Sequence, residues 1–284
     1  MTATPRAVTV VRALKVRPGR SAVLPDHLAT EEPMEIRVAG ACEEPAAAAP
    51  VAVTMRTPGH DFELAAGFLV TEGLAGPGEI AAVAYCGDPG AVTRYNTVTV
   101  TLRRPWAPPA PARAFTVSSS CGACGKASID QLEVAGRPVP AAAPLPRSLI
   151  AGLPDRLRAA QRVFDRTGGL HAAGLFAADG EPCCIREDVG RHNAVDKVVG
   201  HQVLGSRGAL SPALAGWVLA VSGRVSFEIV QKAALSGVGT IAAVSAPSSL
   251  AVDAAERLGV SVVAFVRNGS FTVYSHPERL DLDR

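Results

Sequence analysis

Hydrophobic and polar positions alternate in two different rhythms along this 284-residue chain, and the change of rhythm divides it. In the first half, residues 51–55 and 96–103 read as strands, the second with Thr and Val alternating as a half-buried strand requires. Between them Phe62, Ala65, Ala66, Phe68 and Leu69 recur at helical spacing, which predicts a helix over residues 60–74. Phe115, Thr116 and Val117 read as a further short strand.

Beyond Pro146 the rhythm becomes regular. A helix is expected near residues 154–167, strands over 170–177 and 182–186, and a helix over 191–204. Short apolar runs at 217–221, 240–244 and 261–266 suit buried strands, with helices near 227–236 and 250–258 between them. Strands and helices in such alternation predict an α/β sheet with crossover helices. Segments 41–50, 104–113 and 136–147 are rich in Pro, Ala or both and read as loops or linkers. The third suggests two domains: a smaller mixed α+β domain over residues 1–140, and a larger α/β domain over 141–284.

Composition narrows the possibilities. With 48% hydrophobic and 19% charged residues the chain can bury a real core. Its 28 basic and 26 acidic residues leave a net charge of +2 with no dense basic run, so general nucleic-acid binding is excluded. No run of about 18 apolar residues offers a membrane span. The only apolar stretch in residues 1–20 is 8–11, shorter than the roughly 7 to 15 residues of a signal-peptide core, so a cytoplasmic location is expected. No internal repeat, P-loop or dinucleotide fingerprint is present, which removes support for ATP or NAD chemistry. Six cysteines without a secretion signal, Cys42, Cys86, Cys121, Cys124, Cys183 and Cys184, imply reduced thiols.

The run Ser118-Ser119-Ser120-Cys121-Gly122-Ala123-Cys124-Gly125-Lys126 sets two thiols two residues apart in a polar, glycine-flanked segment. A Cys-X-X-Cys pair beside a cation such as Lys126 favours the nucleophilic thiolate, with Cys121 the better candidate. Two incidental reduced thiols are disfavoured by the glycine flanks and the lack of apolar neighbours. Zinc is disfavoured because no second ligand pair stands at knuckle spacing, and adjacent Cys183 and Cys184 make a poor chelating pair; no metal is expected. A thioredoxin-like dithiol fits the local motif, with a short helix expected over residues 126–132, but not the proline-rich segment before it. A persulfide carrier needs only nucleophilicity and reach. Spacing alone does not choose between these last two.

A second constellation lies at strand ends. Ser222-Gly223-Arg224, residues 245–249, and Arg267-Asn268-Gly269-Ser270 each follow an expected strand, and the first two precede helices, where free N–H groups favour phosphate. Each alone reads equally as an ordinary cap or turn. The polar run 186–197 reads as a ligand site or a capped, solvated turn, and His171 as a satisfied core or edge histidine.

These blocks in this order, namely residues 119–126, 186–197, 222–228 and 267–277, closely resemble the FdhD family of formate dehydrogenase accessory sulfurtransferases. The resemblance implies that a cysteine desulfurase supplies sulfur and that Cys121 carries it as a persulfide with Cys124 in support. It implies a bis(molybdopterin guanine dinucleotide) molybdenum cofactor as acceptor, before insertion into formate dehydrogenase. Cofactor binding would fall on Phe265, Val266, Arg267, Asn268, Gly269 and Ser270, with Ser222, Gly223 and Arg224. The alternatives are a cofactor-binding chaperone without sulfur transfer, or a dithiol oxidoreductase. The resemblance further implies a homodimer and a cytidine-deaminase-like three-layer larger domain. The deaminase chemistry itself is missing: the histidine block reads His171-Ala172-Ala173 without its Glu, and Pro182-Cys183-Cys184 lacks the spaced cysteine pair.

Overall fold

The computed structural model describes residues 6–41, 48–86, 94–107, 115–117, 138–205 and 212–283. It opens on an antiparallel ribbon, β1 (Val8–Arg17) and β2 (Arg20–Ala29). Pro18 and Gly19 turn it, proline fixing one φ and Gly19 taking the positive one, +78°. Leu14 is 63% and Val16 73% exposed, so the ribbon stands outside the core.

Five strands then form the first sheet: β3 (Glu32–Ala39), β4 (Ala49–Arg56), β5 (Ile80–Tyr85), β6 (Thr97–Leu102) and β7 (Phe115–Val117), in the order β5-β6-β3-β4-β7. Period-two alternation buries Met34, Ile36 and Val38 of β3, while Glu35 and Arg37 pair with each other at 2.6 Å in partly exposed positions. Helix α1 (Asp61–Thr71) leaves β4 and is buried along almost its whole length.

The second half supplies β8 (Leu145–Pro146), α2 (Arg147–Ala159), α3 (Arg162–Thr167), β9 (His171–Phe176), β10 (Pro182–Asp188) and α4 (Arg191–Gly205). There follow β11 (Val218–Val221), α5 (Phe227–Leu235), β12 (Thr240–Ala243), α6 (Ser249–Leu258), β13 (Ser261–Arg267), β14 (Ser270–Val273) and β15 (Leu280–Asp281). Six of these strands form a sheet in the order β10-β9-β11-β12-β13-β14, with β11, β12 and β13 parallel, and β8 pairs with β15. The central strands are apolar on both faces because both are covered. Leu219, Val221 and Ile241 pack in the cluster that holds α1, α4, α5 and the first sheet, and Val218, Ala220 and Ala242 pack against Leu149, Ile150, Leu153 and Leu157 of α2.

The mixed α/β class matches expectation, with corrections. The helix expected over 154–167 is two helices that break at Ala160 and Gln161, and the first begins at Arg147. Pro154 lies inside α2 instead of opening it, because the apolar stripe Leu149, Ile150, Leu153 and Leu157 holds the helix on the sheet through the proline. The loop expected at 267–270 is a hairpin turn: Arg267 pairs with Ser270, and Asn268 and Gly269 take φ of 52° and 73°.

Helices α1 and α4 approach unusually closely. A Cβ added at Gly67 would lie 1.8 Å from the Asp196 carbonyl oxygen, and one at Gly200 1.7 Å from that of Glu63. Only hydrogen fits at either point. The Gly67→Ala protein is expected to lose about 3 kcal/mol of unfolding free energy through overpacking. Gly152→Ala, in α2 with open space around it, is expected to gain up to about 1 kcal/mol from helix propensity. Urea midpoints of the two variants check the contrast.

Candidate functional site

Because β11, β12 and β13 run parallel, their carboxyl ends share one edge, and antiparallel β9 brings its first residue, His171, to the same edge. There Ser222 closes β11 onto β9: its N–H donates to the Ala172 carbonyl at 3.0 Å and its Oγ accepts from the Ala172 N–H at 2.9 Å. A cleft of about 660 Å³ opens beside this junction. Arg158, Gln161 and Phe164 from α2, α3 and the break between them form one wall, and His171, Val189 and Ser222 the other.

Three features adapt this edge to an anion. A Cβ on Gly223 would stand 3.4 Å from His171 Nδ1 and 3.5 Å from Arg191 Cδ, so the glycine leaves its backbone bare between them. Arg191 begins α4, and its Nε is a buried donor with no hydrogen-bond partner. The helix's own N-terminus adds a positive dipole end. His171 is held below its ordinary pKa, first by burial and then by Arg191, with Asp188 opposing and Arg224 adding to the depression. The imidazole is therefore neutral at pH 7 in cationic surroundings.

The polar run 186–197 turns mostly inward. Asp188, fully buried, pairs with Lys197 Nζ at 2.7 Å and accepts from Thr57 N, Gly190 N and Asn193 Nδ2 at 3.2, 2.8 and 3.0 Å. Asn193 Nδ2 also donates to the Met55 carbonyl, and Thr54 Oγ1 donates to Asn193 Oδ1. Asp196 pairs with Lys232 at 2.8 Å and accepts from Thr71 Oγ1 at 2.6 Å. Arg186 forks onto Glu63, and burial, which would raise that carboxyl, is outweighed by bonds from Arg186, His60 and His201 that hold it well below the usual range. The run is wiring between the two halves, since α4 lies between the sheets and has no fully solvated face.

Of the residues singled out by sequence, Ser222 lines the cleft, Gly223 forms its cradle and Arg224 lies exposed within electrostatic reach of His171. Phe265 to Ser270 do not line it. Phe265 takes a positive φ of 54° and donates its N–H to the Ser245 carbonyl at 3.3 Å, Val266 packs against the α2 cluster, and the Arg267 guanidinium lies 5.9 Å from the Phe265 ring. Cys121, Cys124 and the helix expected over 126–132 fall outside the described residues. The strand before them, β7, runs parallel to β4 with Val117 opposite Thr54, the residue bonded to Asn193. Asn193 bonds Asp188, and Asp188 stands opposite His171 across β9 and β10. Strand β7 thus ends on the side of the molecule that carries the cleft. Sequence reasoning missed Arg158, Gln161 and Phe164, whereas Val189 and Arg191 belong to the run 186–197 that it reads as a ligand site or a capped turn; the pair Gly168-Gly169 before His171, which also lines the cleft, was a usable signal.

Comparison with known proteins follows this geometry. The model of the FdhD/NarQ family matches residues 29–281. A sulfur carrier protein FdhD from Streptomyces avermitilis is 49% identical over 280 residues, covering 95% of each chain. One from Mycolicibacterium paratuberculosis is 48% identical over 277 residues, covering 95% of this chain and 97% of the other. A crystal structure from Desulfotalea psychrophila, described provisionally as a formate dehydrogenase accessory protein, aligns with a TM-score of 0.75 at 26% identity, covering 97% of this chain and 100% of that one.

The edge also fixes a pH response. His192, buried next to Arg191, lies 3.3 Å from Ser226 Oγ and is driven from an ordinary 6.5 to about 3, first by burial and then by Lys232, Arg191 and His171. Between those two values the unfolded chain binds a proton that the folded one refuses, so stability is intact above pH 6.5 and is lost as pH falls toward 3. A His192→Gln protein is expected to lose stability less steeply, by up to about 1.4 kcal/mol per pH unit, in unfolding measured from pH 6.5 to 4.

Proposed function

Because this chain belongs to the FdhD/NarQ family, we propose that it accepts sulfane sulfur from a cysteine desulfurase as a persulfide on Cys121, with Cys124 in support, and delivers it to the bis(molybdopterin guanine dinucleotide) molybdenum cofactor before that cofactor enters formate dehydrogenase. In the loading step the Cys121 thiolate attacks the outer sulfur of the donor's persulfide. The donor's S–S bond breaks, its thiolate leaves, and a new S–S bond forms on Cys121 with no net oxidation. The cofactor, when bound, supplies the metal that takes the sulfur.

This chain's residues supply the holding. The bare backbone at Gly223, the unpartnered Arg191 Nε and the rim cation Arg224 suit the phosphates of a dinucleotide. Neutral His171 can give or take a hydrogen bond beside them without adding charge. Phe265 to Ser270, with Arg267 as their cation, would hold a further part of the same ligand. The observation that carries the reading is the direction of β7: three residues lie between Val117 and Cys121, so Cys121 has a reach of at most about 14 Å from the strand end beside Thr54 and Asn193. The same reading makes the protein a cytoplasmic homodimer, and its second sheet a deaminase-like layer reused without deaminase chemistry.

Two experiments test it. Incubation with a cysteine desulfurase and cysteine is expected to add one sulfur to the wild-type chain by mass spectrometry and none at this position to Cys121→Ala. A Cys121→Ala protein that loads equally would overturn the assignment to Cys121, and a Cys121→Ser, Cys124→Ser protein that still matures formate dehydrogenase would leave a cofactor chaperone. For the binding half, Arg224→Ala is expected to weaken binding of guanosine diphosphate about tenfold, equivalent to about 1.4 kcal/mol, by calorimetry. Unchanged affinity in Arg224→Ala with loss in Arg267→Ala would move the phosphates to the hairpin.

A further inference from the structure

Strand β10 carries Cys183 and Cys184 side by side, and in a regular strand consecutive side chains point to opposite faces. Here they do not separate. The register with β9 slips between Pro182 and Cys184, a bulge that leaves one residue unpaired and re-aims its side chain. As a result Cys184 is buried in the inter-sheet core and Cys183 packs against that same core. The helix facing them, α4, presents Val198, His201 and Gln202 at i, i+3 and i+4, which form one face. Cys184 Sγ lies 3.7 Å from the Val198 carbonyl and Cys183 Sγ 3.2 Å from Gln202 Oε1. Both sulfurs and a ring nitrogen of His201 lie within 4.8 Å of one another.

From this convergence we propose that Cys183, Cys184 and His201 form a zinc(II) site linking β10 to α4. Two thiolates and an imidazole are a donor set that selects a thiophilic, tetrahedral cation over magnesium or calcium. Ligands about 2.3 Å from a tetrahedral zinc sit roughly 3.8 Å apart, so atoms already within 4.8 Å need contract by only about 1 Å. Gln202 Oε1 or a water can complete the fourth position.

The surroundings supply what a metal-bound histidine usually has. Glu63 Oε1 and Arg186 Nη2 both lie 2.9 Å from His201 Nδ1, and when Nδ1–H donates to the carboxylate, Nε2 keeps its lone pair for the metal. Arg186 in turn grips Glu63 through two nitrogens. Charge closes as well: two thiolates neutralise the dication, and Arg186 neutralises Glu63. Binding converts two thiols to thiolates and releases two protons to the buffer, with no change of oxidation state. In the metal-free protein burial raises both thiols above their ordinary value of 9.0, so they are poor nucleophiles and do not compete with Cys121 for sulfur.

The site is separate from the anion cleft. His192 and His201 are nine residues apart on α4, about 14 Å along the axis, and the cleft gathers at the helix's first turn. The proposal therefore does not depend on sulfur transfer, and its test removes the carrier cysteines.

Full-length Cys121→Ser, Cys124→Ser protein, freed of metal and reduced, is titrated with zinc(II) against a chromophoric chelator and, in parallel, with cobalt(II). One equivalent of zinc is expected to bind, with a thiolate-to-cobalt charge-transfer band and a raised melting temperature. Cys183→Ala and His201→Gln, both at partly exposed positions, are each expected to weaken zinc binding at least about 100-fold, the upper end of what losing a mere outer-shell partner costs. Circular dichroism establishes that these variants fold. Absence of stoichiometric zinc, or equal affinity in the Cys183→Ala and His201→Gln proteins, overturns the assignment and leaves a reduced, hydrogen-bonded thiol pair.

Discussion

Helices α1 and α4 meet backbone to backbone, and buried charges of the described residues gather around that contact. Two glycines, Gly67 and Gly200, bring each helix's backbone against the other with no side chain between. Around that contact stand Asp196 with Lys232, Asp188 with Lys197, and Glu63 with Arg186. Buried charges of this kind add little net stability over apolar packing, but leaving one unpaired costs about 3 to 5 kcal/mol. They therefore define one register of the helix pair and penalise every other.

That register sets the position of the cleft at the strand ends. Helix α4 starts where β10 ends, so fixing the helix fixes Gly190, Arg191 and His192 relative to the carboxyl ends of β11 and β12. Asn193 then carries the constraint across to β4 through Thr54 and the Met55 carbonyl. A site on one sheet is thereby held in fixed relation to the strand of the other sheet from which the cysteine segment departs.

Much of the second half was legible because its strands are short continuous apolar runs bounded by small polar residues, as Val218–Val221 and Thr240–Ala243 show. Less of the first half was read. In β3, Met34, Ile36 and Val38 alternate with charged residues and could have been recognised; in β1 and β2 the apolar residues face solvent, so no core pattern existed to read. The Asn268-Gly269 pair is a hairpin signal in its own right, which reading the segment as a loop after a strand end overlooks. Helix α4 defeated the rule that polar runs are solvated, because burial between two sheets leaves no outward face for its charges. The cleft's far wall was invisible for a different reason: Arg158, Gln161 and Phe164 reach it only after the break between α2 and α3, a tertiary bend with no spacing rule behind it. Cys183 and Cys184 looked useless as a pair because adjacency implies opposite faces, and only the bulge in β10 reverses that.

The β1–β2 ribbon sits at the margin of this organisation. The family-wide match begins at residue 29, where β2 ends, while the relatives near 48% identity cover 95% of the chain. An isolated pair of strands is marginal in water, and open backbone edges with Val10, Leu14 and Val16 turned outward leave residues 8–29 open to pairing with another strand. An edge of this kind recruits another strand through backbone pairing, independently of the chemistry held in the core.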